Sequence, residues 1–223
     1  MGGTPAGADE SQKLTTSFIA IVEDNEALSR GVSRTLKGAG LEVACFESAE
    51  AFWDHCIEVS SNGHEPSRLA CVILDLHLPG EGGLSVQRRL LEQSPDTPIV
   101  FMTGNGEVET AVRAMKRGAV DFLEKPFSQG ELLEAVLRAL ERYHRSQHHR
   151  EDLQEVEQRL ARLTPRERQI LSLLEADLPN KEIAHRLKIS PRTVEVHRQR
   201  VMQKMEVDSV AGLVRLLLET KPR

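Results

Sequence analysis

The sequence predicts an α/β domain built on a doubly wound, five-stranded parallel sheet, followed by a smaller all-α domain of four helices containing a helix-turn-helix, with a helical linker between them. Three observations point there. Between Phe18 and Phe127, short apolar runs alternate with amphipathic stretches, the rhythm of strands covered by helices on both faces. From Thr164 onward the patterns are helical, and the starts carry helix-start signals. Between them, apolar residues recur at three-to-four spacing through a polar stretch. A chain of 223 residues suits two domains.

Strands are expected at Phe18–Val22, Leu41–Phe46, Leu69–Leu74, Pro98–Met102 and Asp121–Leu123. Ile19-Ala20-Ile21-Val22, Cys71-Val72-Ile73-Leu74 and Ile99-Val100-Phe101-Met102 are apolar throughout, which marks strands buried on both faces. Helices are expected at Glu26–Lys37, Ala49–Ile57, Gly83–Gln93, Val108–Arg117 and from Gln129 onward, with Gly38, Gly40 and Gly118 at helix ends. The polar stretch Ser60–Arg68, with its Gly and Pro, reads as a surface loop. Leu133, Leu137, Leu140, Leu153, Val156, Leu160 and Leu163 keep helical spacing around the polar Ser146–Asp152, which fits either one long helix or a helix broken by a hinge. The last four helices are expected at Pro165–Glu175, Asn180–Leu187, Pro191–Met205 and Ser209–Leu218. Thr164-Pro165-Arg166-Glu167 combines an N-cap Thr, a Pro at the first helical position and a Glu three residues on, and Asn180 and Ser190 are expected to cap the next two starts. The division expected is a disordered tail at 1–16, the sheet domain at 17–140, a helical linker at 141–162 and the helical domain at 163–223.

Composition excludes several classes. With 39% hydrophobic and 28% charged residues, the chain is neither disordered nor membrane-embedded, and no apolar run reaches the ~18 residues that span a bilayer. The segment before Ser17 lacks the basic and apolar regions of a signal peptide, so a cytoplasmic location is expected. Cys45, Cys56 and Cys71 show no metal-ligand spacing and read as buried small apolar groups. The net charge of −5 hides an asymmetry: from Thr164 on, about 12 Lys and Arg face about 8 Asp and Glu, roughly +4, leaving roughly −9 on the rest. A mildly basic end on an acidic chain suggests a polyanionic partner for that end.

In open parallel sheets, ligands sit beyond the carboxyl ends of the strands. The polar residues expected there are Glu23 and Asp24, Asp75, Thr103 and Gly104, and Lys125 and Pro126, one set from each of four strands. Three carboxylates in one crevice repel one another unless a cation neutralises them, and an oxygen-only ligand set suits Mg²⁺ or Mn²⁺. A carboxylate beside such an ion can attack phosphorus, which makes Asp75 the candidate nucleophile, with Lys125 as countercharge and the Thr103 hydroxyl as donor to the phosphoryl group. Lys125-Pro126 is a candidate cis bond. The alternative for any one acid is a helix cap, a role open to Asp24 or Asn25.

The motifs IVEDN, VILDLHLPG, FMTG and DFLEKPF resemble those of the CheY-like receiver superfamily, over Phe18 to about Leu140. The resemblance implies that Glu23 and Asp24 are the acid pair, with Glu23 where many receivers have Asp. It implies that Asp75 is the phosphoacceptor, Thr103 the switch hydroxyl, Phe122 the switch aromatic and Lys125 the lysine. It further implies a sensor histidine kinase as phosphoryl donor, slow hydrolysis of the chain's own aspartyl phosphate rather than enzymatic turnover, and a signalling face of helix 4, strand 5 and helix 5 through which a homodimer forms. His77, two residues after Asp75, lies where a side chain can shield the phosphoryl group.

The helices at Asn180–Leu187 and Pro191–Met205, with Lys188-Ile189-Ser190 between them, have helix-turn-helix lengths, and the second would enter the major groove. Its polar face holds Arg192, Glu195, Val196, Gln199, Arg200 and Gln203, flanked by Thr193, His197, Arg198 and Lys204. Gln reads adenine, Glu accepts from cytosine, Val touches a thymine methyl, and Arg, Lys and Thr bind phosphates. LTPRERQILSLL, NKEIAHRL and SPRTVEVHRQRVMQKM resemble the LuxR-type helix-turn-helix, particularly its FixJ branch, over about Leu163 to Leu218. That resemblance implies base contacts by Glu195, Val196 and Gln199, backbone contacts near Lys181, Thr193, His197, Arg200 and Lys204, and promoter DNA as partner, with RNA polymerase a further possible one. Asp177 stands in a turn where that family often has Gly.

Two other classes compete: a phosphotransfer or protein-binding adaptor, whose partner binding would survive loss of Arg200 and Lys204, and an acid-metal phosphohydrolase, which would turn over free phosphate esters. His144 and His148 have helical i, i+4 spacing, with His149 beside them, and a polar hinge accounts for them as well as a metal does.

Overall fold

The computed structural model describes residues 17–61, 69–104 and 108–219. The expected tail and most of the Ser60–Arg68 loop lie outside these. Among the described residues the order is β1 (Phe18–Val22), α1 (Glu26–Gly38), β2 (Glu42–Phe46), α2 (Ala49–Ser61), β3 (Leu69–Asp75), α3 (Gly83–Gln93), β4 (Ile99–Thr103), α4 (Val108–Lys116), β5 (Asp121–Glu124), α5 (Gln129–Ala161), α6 (Pro165–Glu175), α7 (Asn180–Leu187), α8 (Pro191–Met205) and α9 (Val210–Glu219). The chain divides into two compact units between Ser146 and Gln147.

In the first unit the strands pair in parallel in the order β2-β1-β3-β4-β5. Alternation along each strand sends side chains to opposite faces. Ala20, Val22, Val72, Leu74 and Phe101 pack with residues of α2, α3 and α4, while Ile19, Ile21, Ile73, Val100 and Met102 pack with α1 and α5. That two-sided burial is why these strands read as unbroken apolar runs. Strand order reverses between β1 and β3, and a crevice opens at such a switch point.

The element ends differ from expectation at a few places. α2 continues through Ser61, so the first two residues assigned to the loop are helical. Gly38 ends α1 from within, and the left-handed position falls on Gly40 at φ +82°. α5 runs unbroken through Ser146–Asp152, which decides for one continuous helix. β3 and β4 each reach one residue further, to Asp75 and Thr103, so each is the last residue of its strand.

In the second unit, Val156 and Leu160 of α5 and Leu163 pack with Ile170, Leu174, Ile183, Val194, Val201, Met205 and Leu213. Thr164 and Glu167 form the expected capping box. Asn180, by contrast, does not cap α7: the N-cap is Pro179, and Asn180 Oδ1 accepts a hydrogen bond from Arg198 of α8 at 3.1 Å. Asp177 adopts φ +53°, the left-handed conformation its turn requires, and Lys188 does the same at φ +52° to end α7.

Gly83 opens α3 directly beneath the end of β3. A Cβ there would stand 2.3 Å from the Asp75 carbonyl oxygen, a rigid main-chain atom. Gly83→Ala is therefore expected to destabilise the first unit by about 1–3 kcal/mol, read as a lower urea midpoint at unchanged slope.

Candidate functional site: an acidic crevice and a polar helix face

The sheet brings together Glu23, Asp24, Asp75 and Lys125 of the residues that the sequence placed at its carboxyl edge, with Thr103 at the end of the neighbouring strand, its hydroxyl donating to the Gly104 carbonyl at 3.3 Å. Glu23 follows β1, Asp75 and Thr103 end β3 and β4, and Lys125 follows β5. Glu23 is 2% exposed, Asp75 5% and Thr103 3%, while Asp24 faces solvent. Carboxylate oxygens of Glu23, Asp24 and Asp75 lie within 4.8 Å of one another. Asn25, not Asp24, caps α1 by accepting from the Leu28 N–H at 3.1 Å, so Asp24 is left to the crevice.

Lys125 spans the pocket from the far side of the sheet. Its Nζ donates to Glu23 Oε2 at 2.7 Å and stands 3.1 Å from Asp75 Oδ2. Main-chain N–H groups complete the set, with Asn25 donating to Glu23 Oε1 at 3.1 Å and His77 to Asp75 Oδ1 at 3.4 Å. Burial pushes the Glu23 carboxyl above its ordinary range, the Lys125 bond draws it back, and the nearby Asp75 charge pushes it up again. Burial works against the Lys125 charge too, but its bonds to Glu23 and Asp75 outweigh that and hold the ammonium above its usual value. The Lys125-Pro126 bond is cis.

A three-oxygen cluster without nitrogen or sulfur ligands fits a small, hard divalent cation that keeps several waters. Such an ion would neutralise the acids that Lys125 alone offsets in part.

Beside the crevice, Phe122 on β5 is 44% exposed. It borders a cavity of about 200 Å³ between α4 and β5, lined also by Thr103, Ala111, Val112 and Met115.

In the second unit, Arg192, Glu195, Val196, Gln199, Arg200 and Gln203 of α8, and Lys181 of α7, face solvent. Val196 is 42% exposed, an apolar side chain on an otherwise polar face. Thr193 is half-buried, and its main-chain N–H bonds the capping Ser190. The flank carries structural bonds that the sequence did not announce. Lys204 Nζ donates to Glu167 Oε2 at 2.7 Å and to the Arg162 carbonyl at 3.1 Å, and Arg198 bonds Asn180. His197 turns Nδ1 into the interior, buried and without a hydrogen-bond partner. Burial opposes the Glu167 charge, but Lys204 and Thr164 outweigh it and hold the carboxyl at about 2.

Residues 19–137 match the family described as response regulator receiver domain, and residues 161–217 match bacterial regulatory proteins, luxR family. The chain is 40% identical over 205 residues to the transcriptional regulatory protein FixJ of Rhizobium meliloti, an alignment covering 92% of this chain and 97% of that one. It is 38% identical over 200 residues to the response regulator protein TodT of Pseudomonas putida F1, covering 90% and 85%. Among solved structures, the response regulator StyR aligns with a TM-score of 0.76 at 36% identity, covering 92% of this chain and 99% of that one. Full-length FixJ from B. japonicum aligns at 0.54 and 38%, covering 92% and 97%.

The Glu167–Lys204 pair yields a signed prediction. A carboxyl held at about 2 in the folded chain, against an ordinary 4.5, contributes stability that is full above pH 4.5 and is lost as pH falls towards 2. Glu167→Gln is expected to cost about 1–3 kcal/mol at pH 7. The gap to wild type should close across that acid window in denaturant titrations followed by circular dichroism. A gap independent of pH would contradict the assignment.

Proposed function

The chain belongs to the response regulators that join a receiver domain to a LuxR-type DNA-binding domain, and from that premise we propose that Asp75 is its phosphoacceptor and the exposed face of α8 its DNA reader. As a response regulator of a two-component system the protein regulates transcription; it is not an enzyme, and its partners are a histidine kinase and DNA.

The observation that carries the reading at Asp75 is the position of Lys125, one ammonium within 3.1 Å of two buried carboxylates on neighbouring strands. An oxygen of Asp75 attacks the phosphorus of a phosphohistidine. The phosphorus–nitrogen bond breaks, the imidazole keeps the electron pair, and an aspartyl phosphate remains. Lys125 would neutralise the phosphoryl oxygens, and the Thr103 hydroxyl would donate to one of them. Glu23, Asp24 and Asp75 would hold Mg²⁺ or Mn²⁺, which supplies charge neutralisation for the incoming group. Slow hydrolysis by water ends the state. Until then, while Asp75 carries the phosphoryl group, Thr103 draws towards it and Phe122 turns into the cavity behind it, altering the face of α4, β5 and α5 through which two copies associate.

Weak positive charge on the DNA-binding end supports a dimer, because two copies double the phosphate contacts and supply two half-sites. Glu195, Val196 and Gln199 are the proposed base readers, with Lys181, Arg192, Thr193, His197 and Arg200 along the backbone. Lys204, held by Glu167, contributes chiefly by fixing α8, and RNA polymerase is a further proposed partner. The natural setting for this chemistry is the cytoplasm, where the kinase's phosphoryl-bearing domain and DNA meet.

Titrating promoter DNA with the full-length protein, with and without acetyl phosphate and Mg²⁺, tests the proposal. Phosphorylation is expected to tighten binding by about tenfold or more, ~1.4 kcal/mol, and Asp75→Asn should abolish the response. Arg200→Ala should lower the salt slope by about one, while Gln199→Ala should narrow the preference for one base by about 1–3 kcal/mol. Binding indifferent to acetyl phosphate would leave a constitutive DNA binder.

A further inference from the structure

The chain's one tryptophan stands behind the acidic crevice. Trp53, on α2, is 5% exposed and packs in the same core as Leu76 and Leu78. Its indole Nε1–H donates to Glu81 Oε2 at 3.1 Å, and the Arg89 guanidinium lies over its ring, 4.2 Å from the centroid. Glu81 belongs to the loop that follows Asp75, and Arg89 to α3 beyond it. That loop is fixed at three points: Leu76 and Leu78 in the core, Gly83 against the Asp75 carbonyl, and Glu81 on the indole. Within this frame lies His77, whose main-chain N–H is the long 3.4 Å donor to Asp75.

An indole has one donor and no acceptor, and a ring this buried has little access to water for a replacement partner. The path of the loop is therefore coupled to α2 through this bond as well as through the shared core. Arg89 reinforces it, because its charge lies on the ring that donates to the Glu81 carboxylate.

We propose that Trp53 and Glu81 are positioning residues for the chemistry at Asp75, holding the loop so that the His77 N–H stays on the carboxylate and thereby setting the lifetime of the phosphoryl group. The proposal rests on the reading of Asp75 as phosphoacceptor. Loss of the group is hydrolysis: water attacks phosphorus, the bond from phosphorus to the Asp75 oxygen breaks, and the carboxylate and inorganic phosphate are released. A loop that drifts alters both the donor to that carboxylate and the cover that keeps water away. The indole bonded to the loop reports the same movement.

The test labels the full-length chain with radioactive acetyl phosphate and Mg²⁺ and follows the half-life of the aspartyl phosphate. Trp53→Phe keeps an aromatic ring for Arg89 and the core but removes the N–H, and Glu81→Ala removes its acceptor. Each is expected to change the half-life by more than about twofold and up to tenfold, the scale of one hydrogen bond in a rate. The double variant should go no further than the larger single effect, because both changes delete one bond. Wild-type tryptophan emission, which needs no variant, should shift on labelling and stay fixed in Asp75→Asn. A half-life within about twofold of wild type in either single variant, additive effects in the double, or unchanged emission in a labelled wild type would each overturn the proposal. A wild-type chain that takes no label overturns the reading of Asp75 itself, which separates the two failures.

Discussion

The first unit is organised around a repulsion it cannot avoid. Parallel strands deliver their polar ends to one edge, and here that edge gathers Glu23, Asp24 and Asp75 with oxygens within 4.8 Å. Two of the three are buried, where unneutralised charge is most costly. Lys125, reaching from the end of β5, satisfies both, so the outer strand is tied electrostatically to the central pair. Removing a carboxylate charge, or adding an anionic group to one, must redistribute this pocket. The neighbours able to respond are Thr103 on the last rung of β4 and Phe122 beside a cavity.

The second unit holds a buried ion pair of a different kind. Glu167 joins the start of α6 to the end of α8 through Lys204, with its charge held firmly at neutral pH. Burial offsets much of what such a pair gains, so its contribution lies more in fixing geometry than in net stability, while breaking one side alone is costly. Further bonds add to it: Arg159 donates to the Met205 carbonyl at 3.2 Å, and Arg166 to the Leu187 carbonyl at 2.8 Å. These place main-chain ends of α7 and α8 under side-chain control.

The sheet was legible because burial on both faces writes continuous apolar runs, and the strand ends followed from the first polar residue after each run. Glu23, Asp75 and Thr103 follow from that rule, whereas Lys125 stands one residue beyond Glu124, the first polar residue after its run, and the receiver motif DFLEKPF singles it out. What the sequence left open depended on local main-chain geometry and on partners distant in the chain. Whether Asn25 or Asp24 caps α1 turns on one main-chain geometry, and the continuity of α5 turns on packing at both of its ends. Asn180 has the residue type of an N-cap, yet Arg198 claims its oxygen from another helix. Lys204 carried no signal of its bond to Glu167, 37 residues away, since Lys on a polar face looks the same whether it meets a phosphate or a carboxylate. The Trp53–Glu81 bond, across 28 residues, was equally silent.

The most direct measurement is chemical mapping of the phosphoryl group. The intact protein is treated with acetyl phosphate and Mg²⁺, reduced with borohydride to trap any aspartyl phosphate, and read by peptide mass spectrometry. The account predicts reduction confined to position 75 and dependent on the divalent ion. Modification of another carboxylate in place of Asp75, or none with any phosphoryl donor, would contradict it.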